Sequence, residues 1–146
     1  MLRYSDTAAL GVLLERFPYE GFAEWAAELG LADMGKVISG SASAREMGLW
    51  TAYLYEYMES GKYGAELKDD LMNTNYSMIS TQSPKASKYG WDKSAYHEMA
   101  VVYAEHPYLL VIMTDKWGGS AEDRQMFREL PGVLEEMKAA KFAAEG

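Results

Sequence analysis

The chain has 146 residues, 49% of them apolar and 13% aromatic, which is enough to bury one core and too apolar for a disordered segment. A formal net charge of −8 disfavours nucleic acid as a partner, and the absence of cysteine excludes disulfides and thiolate metal sites. The apolar run Tyr108 to Met113 is too short to span a bilayer and no signal peptide precedes Ser5, so no membrane span is expected.

The first half reads as helical. Ser5 or Asp6 caps a helix running to about Phe17, with Ala9, Leu10, Leu13 and Leu14 on its apolar side, and Pro18 stops it. A second helix, about Tyr19 to Leu29, carries Phe22, Trp25, Ala26 and Leu29 at helical spacing, and Gly30 suits the position just past its end. Leu31 to Gly40 is a short connector. Ser43-Ala44-Arg45-Glu46 is a capping box, in which the serine side chain accepts from a free backbone N–H and the glutamate reaches back. The helix it opens runs to about Ser60, with Met47, Trp50, Leu54, Tyr57 and Met58 facing inward. Gly61 and Gly64 punctuate before a short fourth helix, Ala65 to Met72.

Asn73 to Ala86 has little periodicity and reads as a loop. Three strands follow, at about Ala86 to Trp91, Tyr96 to Ala104 and Tyr108 to Asp115. The second is mostly apolar, so both its faces are expected to be covered. Glu105-His106-Pro107 and Trp117-Gly118-Gly119 are turns. Ser120-Ala121-Glu122-Asp123 starts a C-terminal helix, interrupted near Pro131, with Phe127, Leu130, Leu134, Met137 and Phe142 available to lie on the sheet. The order is helices, a three-stranded antiparallel meander, then a helix, an α+β arrangement. Residues 1–86 form its mainly helical part and residues 87–146 its sheet and last helix. His97 and His106 lack clustered acids at ligand spacing, so no metal site and no cofactor are expected.

Two short motifs stand out. Tyr4-Ser5-Asp6-Thr7 sits at a helix start, and Ser87-Lys88-Tyr89-Gly90-Trp91 forms the first strand of the meander, beside the one local concentration of lysines, Lys85, Lys88 and Lys93. In this order, with helices between and Tyr96-His97-Glu98-Met99-Ala100-Val101-Val102-Tyr103 after, they resemble two of the three motifs of the serine β-lactamase and penicillin-binding superfamily. Ser5-Asp6-Thr7 stands where class A β-lactamases have Ser-Asp-Asn, and Lys88-Tyr89-Gly90 where the family has Lys-Thr-Gly or Lys-Ser-Gly. The resemblance runs the length of the chain but covers only the C-terminal part of the family domain.

The resemblance implies acyl transfer on a β-lactam or a cell-wall peptide amide through an acyl-enzyme. Ser5 would relay a proton to the leaving nitrogen. Lys88 would hold Ser5 by a hydrogen bond and bring positive charge to the substrate carboxylate. Thr7, Tyr89, Gly90 and Trp91 would line the substrate. Gly90 would let the strand backbone come close, and an N–H near Trp91 or Asp92 would be one oxyanion donor. Thr7 and Tyr89 depart from the family's asparagine and small hydroxyl residue. The family's deacylating glutamate has no match, since Leu31 to Gly40 holds only Asp33 as an acid. No serine is followed by lysine three residues later, so the family's Ser-x-x-Lys nucleophile is absent. The chain alone is therefore expected to be inactive, an N-terminal nucleophile segment and two neighbouring strands lying elsewhere. The two open sheet edges would be covered by that missing half or by self-association. A family member of this kind works outside the cytoplasm. The alternative is a non-catalytic peptide- or protein-binding module on the same fold.

Overall fold

A computed structural model describes residues 1–30, 42–92, 94–116 and 120–145. The expected Leu31 to Gly40 connector and the Trp117-Gly118-Gly119 turn lie outside the described residues, as does Lys93.

Each helix begins or ends where local chemistry satisfies its free backbone groups. The carboxylate of Asp6, rather than the hydroxyl of Ser5, caps α1 (Thr7–Arg16), accepting from the Ala9 N–H at 3.1 Å. Pro18 opens α2 (Tyr19–Glu28), and Gly30 follows it with φ 74°, a left-handed backbone that glycine adopts without a Cβ clash. The capping box is fully formed on α3 (Ala44–Ser60). Glu46 N–H donates to Ser43 Oγ at 3.2 Å and Ser43 N–H donates to Glu46 Oε2 at 2.5 Å. Gly64 opens α4 (Gly64–Met72) hard against the end of α3. A Cβ there would lie 2.4 Å from the Tyr57 carbonyl oxygen, so the tight α3–α4 corner requires glycine.

The strands β1 (Lys85–Trp91), β2 (Tyr96–Val102) and β3 (Tyr108–Met113) form an antiparallel sheet in the order β1-β2-β3. Lys88 lies opposite Met99, and Met99 opposite Val111. Alternation sends Ala86, Lys88, His97, Met99 and Val101 to one face and Ser87, Tyr89, Tyr96, Glu98 and Ala100 to the other. On the first face, Ala86 and Val101 pack with Met58 of α3 and Leu71 of α4. On the second, Tyr96, Ala100, Val102, Leu110 and Ile112 pack with Met78, Ile79 and Phe127. The mostly apolar β2 is thus covered on both sides, as its composition demands.

The last helix corrects one expectation. It is not interrupted near Pro131 but runs unbroken as α5 (Ala121–Glu145). Proline removes one helical N–H and leaves the Phe127 carbonyl without its usual donor, at about 3 kcal/mol. Packing on the sheet outweighs that penalty, because Phe127 is fully buried, Pro131 nearly so, and Leu134 packs on the same cluster. By contrast, α1 buries nothing, and its Leu10, Val12 and Leu13 are 38%, 66% and 41% exposed. No helix among the described residues is long and apolar enough to cross a membrane. Among those residues β1 and β3 are the borders of the sheet.

Candidate active site

The turn before α1 and the edge strand β1 meet across the mouth of a groove. Lys88 is half-buried on the α3-facing side of β1, and its ammonium donates to Ser5 Oγ at 2.9 Å, joining residues 83 positions apart. It also donates to the Tyr89 carbonyl at 2.6 Å and lies 4.2 Å from the centroid of the Tyr89 ring. Burial lowers the Lys88 pKa from its ordinary value, and the Glu98 carboxylate partly offsets this. Ser5 has φ 51°, in the left-handed region, within a turn closed by bonds from Ser5 N–H to the Leu2 carbonyl and from Asp6 N–H to the Met1 carbonyl. Since Lys88 donates to its oxygen, the Ser5 hydroxyl proton is left to point elsewhere.

The groove has a cavity volume of about 1110 Å³. Ser5, Thr7, Lys88, Tyr89 and Gly90 all border it, together with Asp6 and Leu10 of the same turn and helix. Its far wall is α3, through Glu46, Met47, Trp50 and Leu54, and its floor is the sheet, through His97, Met99 and Val111. Gly90 faces open space, since an added Cβ would meet nothing within 4 Å. Nothing in the fold's own packing requires glycine there.

Five of the six residues expected at the site therefore come together. Tyr89 does so only in part, because its ring belongs to an aromatic cluster, 5.2 Å from Tyr76 and parallel to Tyr96 at 6.2 Å. Trp91 is not among the groove residues. It is 53% exposed and stacks on Tyr76 at 6.1 Å. The Asp92 N–H, an expected oxyanion donor, is already given to the Ala95 carbonyl at 3.1 Å.

Two residues at or beneath the site carry more than their sequence context suggests. His97 lies on the groove face, and its Nδ1 accepts from the Thr114 N–H at 3.2 Å, so the ring proton of the neutral form sits on Nε2. Glu98 is 2% exposed on a strand otherwise read as apolar. Its carboxylate accepts from Tyr96 Oη at 2.5 Å, the Met78 N–H at 3.0 Å, the Ile79 N–H at 3.3 Å and the Ser77 hydroxyl. Burial, and then the Glu98 bond, raise the Tyr96 pKa far above the ordinary phenol value. The signal for Glu98 was a lone acid sharing one strand face with Tyr96, Ala100 and Val102.

No curated protein matches the chain. A family model does, described as the β-lactamase enzyme family, and its match takes in residues 1–134. That span holds both the serine-bearing turn and the lysine-bearing strand that meet at 2.9 Å, along with the meander and most of α5. The chain belongs to the β-lactamase enzyme family.

Proposed function

We propose that this chain supplies the proton-relay and carboxylate-anchoring half of a serine hydrolase site, acting by acyl transfer on a β-lactam or a cell-wall peptide amide. The observation that carries the reading is the 2.9 Å bond from Lys88 Nζ to Ser5 Oγ. Ser5 donates its hydroxyl proton to the departing nitrogen, and the Lys88 ammonium beside it attracts the substrate carboxylate and reprotonates the serine. A lysine with a lowered pKa gives up a proton more readily than a solvated one, which suits such a relay. Gly90 gives a substrate access to the strand backbone, in keeping with the open space beside it. The sequence contains no Ser-x-x-Lys, so the attacking serine comes from a segment outside these 146 residues, and the same segment covers a border of the sheet.

The test uses the chain alone and then a longer gene product carrying a Ser-x-x-Lys. Benzylpenicillin added to the chain should shift the NMR signals of Ser5, Lys88 and Gly90 reversibly, with no mass adduct, and Lys88→Ala should abolish the shifts. In the longer product a fluorescent penicillin should form a covalent adduct that Ser5→Ala or Lys88→Ala slows at least about tenfold. An adduct on the chain alone would show that the nucleophile lies within it. Labelling indifferent to both substitutions would remove Ser5 and Lys88 from the mechanism.

A second reading, a groove that binds a peptide without chemistry, draws on the apolar lining by Leu10, Met47, Trp50, Leu54, Met99 and Val111. It expects tight peptide binding by the longer product, no adduct with any acyl substrate, and no effect of Ser5→Ala.

A further inference from the structure

Helix α5 has an apolar face that the sheet does not use. Phe127 and Leu134 are the residues it packs on the sheet cluster. Met126, Leu130, Val133 and Met137 remain 42%, 37%, 50% and 64% exposed. With Ala140 and Ala144, also exposed, they recur at alternating steps of four and three residues, the spacing of a coiled-coil seam. Glu122, Glu129 and Glu136 follow one another at steps of seven along the flank of this seam away from Phe127 and Leu134, and all three are exposed. The Gln125 side chain donates to Glu129 Oε1 at 2.6 Å, steadying one member of the row.

We propose that this face docks an amphipathic α-helix of a partner protein, one whose apolar seam is bordered by lysine or arginine. The heptad spacing selects a helix, because knobs at these steps fit only the holes of another helix. The glutamate row selects the charge of its border. A second copy of the chain is the poorer occupant. Pairing two α5 seams head to tail sets one glutamate row against the other, and each copy carries a net charge of −8. An anionic membrane surface is repelled by the same row.

The probe is a labelled helical peptide of about three heptads, with leucine along the seam and lysine on both flanks, beside a twin with glutamate on the flanks. Fluorescence anisotropy follows each peptide titrated with the full 146-residue chain. The lysine peptide should bind at least about tenfold more tightly than its twin, and added salt should narrow the gap. Val133→Asp should abolish binding of both, with circular dichroism reporting an unchanged fold. The double variant Glu129→Lys, Glu136→Lys, wholly on the surface, should reverse the preference. Equal binding of the two peptides, binding of neither, or a preference unchanged in the double variant would overturn the proposal. So would self-association in sedimentation that Val133→Asp removes, or binding to anionic vesicles.

Discussion

On the α5 side of β2, Tyr96, Glu98, Ala100 and Val102 are all buried, whereas on the other side of the same strand His97 and Met99 are only half covered and border the groove. Each side also holds an ionisable group. Glu98 has four donors around its carboxylate and is sealed from water. Lys88 has two oxygen acceptors and an aromatic ring, and stays at the edge of open space. The contrast teaches how to tell a charge that holds the fold from one available to a ligand. The first has its hydrogen bonding filled by the protein, and the second keeps capacity to spare on the side of a cavity.

The largest effect expected from this contrast lies in the α5 core. Phe127→Ala should lower unfolding free energy by about 3–5 kcal/mol in urea titrations, since the ring is fully buried and meets Tyr96 edge-on at 4.8 Å. A loss under about 1 kcal/mol would mean that α5 is not part of the cooperative unit. Glu98→Ala should cost about 3 kcal/mol, because the Met78 and Ile79 N–H groups and the Tyr96 hydroxyl lose their acceptor inside the protein. Protection of the Met78 and Ile79 amides against hydrogen exchange should fall most.

Alkaline titration sharpens the comparison further. Tyr96 and Tyr108 have raised pKa values, chiefly through burial, so above the ordinary phenol value of 10.0 the unfolded chain ionises while the fold keeps both protons. The unfolded state then binds fewer protons, and stability falls as pH rises through that range. Lys88, with its lowered pKa, acts in the opposite sense, adding stability as pH rises towards 10.5. Tyr96→Phe should flatten the alkaline decline, and an unchanged slope would assign it elsewhere. The smallest expected effect on stability is that of Lys88→Met, within about 1 kcal/mol of the parent, because a partly desolvated ammonium adds little to folding and its stem is replaced by an apolar one. The same variant should lose all carboxylate-dependent ligand binding. A large destabilisation would move Lys88 into the structural half.

Where periodicity and local bonding decide an element, the sequence announced it. The Ser43–Glu46 box, Gly30 beyond α2 and the β1-β2-β3 meander depend on neighbours a few residues away. The pairing of Ser5 with Lys88 is non-local, and it was legible only through family-like motifs at both ends. Features fixed by distant packing were not legible. Pro131 was read as a break because local rules make it one, and only the sheet beneath α5 keeps that helix whole. Glu98 gained no weight because its donors sit in the 77–79 segment, about twenty residues upstream, whose position no pattern in that loop foretells. Trp91 was assigned to the groove by adjacency to Gly90, but its ring follows the alternation to Tyr76 instead.

Ser5 holds a backbone conformation that costs a residue with a Cβ about 1 kcal/mol or more, and that glycine would adopt freely. Two replacements that delete the same oxygen should therefore part company. Alanine keeps the conformational burden while silencing the contact to Lys88, and glycine silences it while lifting the burden. A chain that tolerates an ill-fitting residue at this turn does so for a single atom, and the difference between those two variants measures how much the turn gives up to keep it.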